Sequence, residues 1–154
     1  MYLFLLALHS LIRWFVLASL LFVIFRSYRG WFGHKPYTKT DHVTRIITAT
    51  IAHIQLVAGV WLYFISPVVD YFLHNYSQAV HMRQIRFFGM EHVTIMLTAI
   101  VLITIGSAKA KRKTTDEAKF KTMAIWFTIA LLLIFTSVPW SFSPLISRPL
   151  FRSF

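Results

Sequence analysis

Three short stretches of this chain carry side chains able to do chemistry inside otherwise apolar surroundings. Leu8-His9-Ser10-Leu11-Ile12-Arg13 sets an imidazole and a guanidinium four residues apart. That spacing puts both on one helical face, one turn apart. Ala52-His53-Ile54-Gln55 and Gly89-Met90-Glu91-His92 add two more imidazoles and an amide. If these stretches cross a bilayer, Arg13 lies near the hydrocarbon midplane, where a cation costs at least ~2.5 kcal/mol. Such a residue needs a partner, and imidazoles in lipid have no water to satisfy them. Haem-iron ligation, hydrogen bonding to a quinone and contacts to partner helices are the chemistries open to this set.

The elements that position these residues are legible from composition. The 154 residues are 57% hydrophobic and 14% charged, with a mean hydropathy of +0.64. Apolar runs of about twenty residues mark membrane helices. We read four of them, over roughly 2–25, 42–66, 87–108 and 117–138. The first is expected to be a retained helix and not a cleaved leader. Its apolar run is long, and Arg26-Ser27-Tyr28-Arg29 follows it. Asp41 is the expected N-cap of the second helix, which stops at Pro67. Residues 68–86 are amphipathic and expected to lie along the membrane surface, and the tail from Trp140 should lie there without regular structure. The fold class is all-α, an integral-membrane up-down four-helix bundle in a single domain.

The net charge of +11 is concentrated in two loops and at helix ends. It therefore reads as topology, with no nucleic-acid partner implied. Arg26, Arg29, Lys35 and Lys39 lie in one loop; the run Lys109-Ala110-Lys111-Arg112-Lys113 with Lys119 and Lys121 lies at another. The positive-inside rule puts both loops in the cytoplasm and both termini on the outer, periplasmic side of the inner membrane. With no cysteine, disulfides, thiolate metal sites, iron–sulfur clusters and covalently attached haem are excluded. Nucleophile elbows, phosphate-binding glycine loops and carboxylate pairs are also missing from the sequence.

Depth follows from ~1.5 Å of rise per residue. His9 and His92 come out at roughly 10 and 8 Å below the outer boundary, at one level on helices that face each other diagonally. Two such imidazoles suit the two faces of a haem iron. His53 falls roughly 18–21 Å deep and Arg13 roughly 17 Å, so His53, Gln55 and Arg13 form a second polar layer near the midplane. They could line a haem edge or a quinone site. Glu91 could orient His92, and Met96 lies one turn deeper on the same face. His34, His42, His74 and His81 read as surface residues, and Gly59, Ala58, Ala99, Gly106 and Ser107 as points of close helix approach.

The chain resembles the small four-helix membrane proteins of Bacteroidota-type bacteria that are labelled cytochrome b or cytochrome b-like. The likeness rests on Leu8-His9-Ser10 with Arg13-Trp14, on Ala52-His53-Ile54-Gln55-Leu56 with Gly59, and on Gly89-Met90-Glu91-His92. It extends to Ile105-Gly106-Ser107-Ala108 with the following basic run and to Val138-Pro139-Trp140. The resemblance implies noncovalent haem b contacted by His9, His53 and His92, and electron transfer in or beside a respiratory chain; depth selects His9 and His92 as the iron ligands. The rival readings are a haem-free accessory subunit of a larger membrane complex, and a copper-handling protein using His9, His92 and Met96.

Overall fold

The computed structural model of the protein describes residues 1–141 and residue 146. Four helical stretches are long and apolar enough to cross a membrane: Tyr2–Phe32, Lys39–Ile65, Arg83–Lys111 and Asp116–Ser137. No strand occurs among the described residues. We label the helices α1 (Tyr2–Phe32), α2 (Lys39–Ile65), α3 (Pro67–His74), α4 (Tyr76–Ala79), α5 (Arg83–Arg86), α6 (His92–Lys111) and α7 (Asp116–Ser137). A π-helical turn, Phe87–Glu91, joins α5 to α6 and makes them one span.

Around the bundle the order is α1, α2, α6, α7, with α7 closing back on α1. Helices α1 and α6 therefore stand on a diagonal. Large apolar side chains point outward on every long helix, among them Phe4, Phe15, Phe25, Val57, Phe64, Val101, Leu132 and Phe135. A helix that is apolar on all sides suits lipid and not water.

The first two helices extend further than their apolar runs. Helix α1 was expected to end near residue 25 but continues through the basic stretch to Phe32. Gly30 does not break it. A Cβ there would lie 2.5 Å from the Phe120 ring, so the missing side chain is what lets α1 pack against α7. Helix α2 starts three residues earlier than expected, because Thr38 and not Asp41 is its N-cap. Asp41 is the third helical residue and completes a capping box. The Thr38 hydroxyl accepts from the Asp41 amide at 3.4 Å, and the Asp41 carboxylate accepts from the Thr38 amide at 2.9 Å. Thr115 caps α7 with its hydroxyl alone, which accepts from the Ala118 amide at 3.3 Å.

Between the second and third spans the amphipathic segment folds into two short helices, α3, opened by Pro67, and α4, and its last residues, α5, already belong to the third span. The irregular tail expected after Trp140 lies mostly outside the described residues.

The two ends of the bundle are packed differently. Toward the 33–38 and 112–115 connections the interior is solid: Leu20, Val23, Ile103, Phe120, Met123 and Phe127 are almost fully buried. Toward Met1 and the α2–α3 junction it is hollow.

Candidate functional site

That hollow is a cavity of about 420 Å³, walled mainly by aliphatic and aromatic side chains of all four spans. Its size and apolar lining with few polar groups are those of a site for a small molecule or cofactor. The polar side chains that reach it include His9 and Arg13 from α1, Gln55 from α2 and His92 from α6. The diagonal placement of α1 and α6 brings His9 and His92 to one chamber from opposite corners.

His92 sits at the first position of α6, directly after the π-turn. Its Nδ1 donates to the Ser137 carbonyl at 2.9 Å. That carbonyl lies in the last turn of α7, where helix acceptors lack intrahelical partners. A ring that gives its Nδ1 proton to a carbonyl keeps its lone pair on Nε2, the arrangement that ligating histidines use. Met96, one turn on, also lines the cavity.

His9 is held differently. The Gln55 amide nitrogen donates to the His9 carbonyl at 3.0 Å and lies 3.2 Å from His9 Nε2. The carbonyl fixes the amide's orientation, since a flipped amide would set two oxygens against each other. Nε2 of His9 is thus the acceptor and its proton resides on Nδ1. Gly59, one turn beyond Gln55, makes room for the ring; a Cβ there would stand 3.1 Å from His9 Cε1. His9 Nδ1 and Gln55 Oε1 are buried without hydrogen-bond partners. Buried orphans of this kind cost roughly 1–3 kcal/mol each, and they mark a wall shaped for something other than its own stability.

Arg13 does not join His53 in a polar layer. Its Nη2 donates to the buried Ser10 hydroxyl at 3.3 Å, and the guanidinium stands 5.4 Å from the Trp14 ring centroid. His53 faces away from the cavity. It is exposed on the outside of the bundle, with Nε2 3.0 Å from the Thr104 hydroxyl. The midplane layer of Arg13, His53 and Gln55 therefore divides: Arg13 and Gln55 line the chamber with His9, while His53 lies outside it. Depth alone could not separate them, because rotation about the helix axis decides which side of α2 a residue occupies. Glu91 is engaged by Arg86 at 2.6 Å, while the hydrogen bond of His92 Nδ1 goes to Ser137.

Two contributors escaped sequence reasoning. Ser137 acts through its backbone carbonyl, which no side-chain pattern reveals. Ser10 was visible beside His9, and its i,i+3 spacing to Arg13 was the signal available. Among the described residues no group of three or more His, Cys, Asp or Glu side chains could hold a metal ion. No protein-family model matches the chain, and neither a curated protein nor a solved structure matches it.

Proposed function

We propose that the protein is a b-type cytochrome of the inner membrane, holding one noncovalent haem b in the cavity through His9 and His92. The observation that carries this reading is the meeting of two half-buried imidazoles, from diagonal helices, in one apolar chamber of about 420 Å³. The donor set fits the group. His92 offers Nε2 as it stands, with Nδ1 anchored on Ser137. His9 offers a nitrogen once the Gln55 amide lets go of Nε2, and the orphaned Nδ1 and Oε1 show that this corner is not self-satisfied. Arg13 and Met96 line the same chamber, Arg13 as a cation suited to a carboxylate of the cofactor.

Bound haem supplies one-electron transfer; the chain supplies ligation, a low-dielectric chamber and orientation. The electrons would pass between a quinol pool and a respiratory partner. By the positive-inside rule the 33–38 and 112–115 turns would be cytoplasmic and both termini outside.

The test is a reduced-minus-oxidised spectrum of the detergent-purified protein, with a pyridine haemochrome assay. A b-type α-band at about one haem per chain is expected from one bis-histidine site. Protein made under haem-replete conditions without a Soret band overturns the proposal. A haem-free accessory subunit is the second reading, and His53 with Thr104 favours it. Beyond the bond the two share, an exposed polar pair finds no donor or acceptor in hydrocarbon, and a partner helix matches it better.

A further inference from the structure

The opposite end of the bundle holds a second pocket, of about 320 Å³, between the start of α2, the end of α6 and the first turn of α7. Lys39, His42, Arg45, Lys111 and Lys119 line it together with Tyr37. Arg45 is the informative residue. It is only 4% exposed, yet no ion pair to it occurs among the described residues. Its Nη1 donates to the Ser107 carbonyl at 3.0 Å and hydroxyl at 2.6 Å, and Nη2 lies 3.5 Å from His42 Nδ1. Its Nε is buried without a hydrogen-bond partner.

The neighbouring carboxylates are already committed. Asp41 holds Arg26 at 2.7 Å, and Asp116 holds Lys119 at 3.2 Å. Four cations thus surround the pocket, and one of them is neutralised locally. Burial pushes the Tyr37 hydroxyl's pKa up, so no negative charge arises there at neutral pH. A buried arginine with a spare donor, set among lysines, calls for an anion with several acceptor oxygens.

We infer that this pocket binds a phosphate group, and that the phosphate belongs to the headgroup of an anionic phospholipid. The pocket lies at the ends of three spans able to cross a membrane, where headgroups meet helix termini. Beside it on α2, Val43, Ile46 and Ile47 are exposed, giving an apolar strip on which acyl chains can lie. The site is separate from the cavity at the other end, and its occupancy does not depend on haem.

The experiment uses the full-length protein in detergent, titrated with dioctanoyl-phosphatidylglycerol, dioctanoyl-phosphatidylcholine or inorganic phosphate, with bound lipid counted by native mass spectrometry. One phosphatidylglycerol per chain is expected to be retained in preference to phosphatidylcholine. Removing the two exposed lysines together, Lys39→Ala with Lys111→Ala, should weaken it at least about fivefold, and Arg45→Gln should abolish the preference. If Arg45→Gln fails to fold, the double lysine variant decides alone. Equal retention of the two lipids, or an unchanged affinity in the double variant, overturns the inference. Displacement of the lipid by millimolar inorganic phosphate overturns its lipid part and assigns the pocket to a free anion.

Discussion

Asp41 at one end of the bundle and the His9–Gln55 pair at the other handle buried polarity in opposite ways. Near the 33–38 turn, Asp41 is 1% exposed and accepts from Arg26 Nε, the Thr38 amide and the Thr38 hydroxyl at 2.7, 2.9 and 2.6 Å. The carboxylate's neighbours are complete, and solid packing of Leu20, Val23, Phe120 and Met123 surrounds that end. In the cavity, by contrast, His9 and Gln55 satisfy each other only in part and leave two polar atoms stranded beside empty space. One arrangement fixes helix ends; the other holds donors in readiness. A buried polar group that has all its partners belongs to the fold, and one that lacks them beside a cavity is a candidate for binding.

The largest expected effect lies in the cavity. His92→Ala should eliminate haem retention, since no other imidazole on α6 faces the chamber, while the helical circular dichroism persists. Retention of a full complement of haem in this variant, read by pyridine haemochrome, would end the ligand assignment. At the other end, Asp41→Asn should lower stability by about 2 kcal/mol, because it weakens the capping box and leaves Arg26 without its counter-charge. The loss would be read as a lower midpoint of unfolding in detergent, with haem content per folded chain unchanged. A drop in haem together with stability would erase the distinction between the two ends.

Gln55→Leu is a smaller perturbation, costing about 1 kcal/mol through the lost bond to the His9 carbonyl and offset by removal of an orphaned oxygen. Its more telling readout is the haem midpoint potential. That potential should shift if Gln55 sits beside the cofactor, whereas an unchanged potential would place the haem elsewhere. His53→Leu should be nearly silent, within about 0.5 kcal/mol and with full haem content. Thr104 keeps its own bond to the Ile100 carbonyl in that variant. Loss of haem in His53→Leu would show that the outward imidazole, and not His9, serves the iron.

How these effects divide was only partly legible beforehand. The existence of four spans was plain, because a stretch such as Phe87 to Ala108 carries one charged residue, Glu91, and apolar residues over most of its length. Helix ends were less so: Arg26 and Arg29 looked like loop residues, yet α1 continues past the apolar run, where Arg26 pairs with Asp41 of α2 and Gly30 packs against Phe120 of α7. Arg45 passed unnoticed, since nothing in its neighbours distinguishes an arginine that turns inward from one that remains in solvent.

What the sequence determines by itself is therefore length, apolarity, charge placement and the identity of the few polar groups inside the spans. These are local quantities, set by one residue after another along a helix. The rotation of each helix is not local. The spans are apolar on nearly all sides, so they carry little amphipathic stripe to say which face turns inward. Packing decides that, through small residues such as Gly30 and Gly59 that admit a neighbour's ring. The tertiary structure alone turned His9, Gln55 and His92 toward one cavity, His53 outward and Arg45 into a pocket of its own.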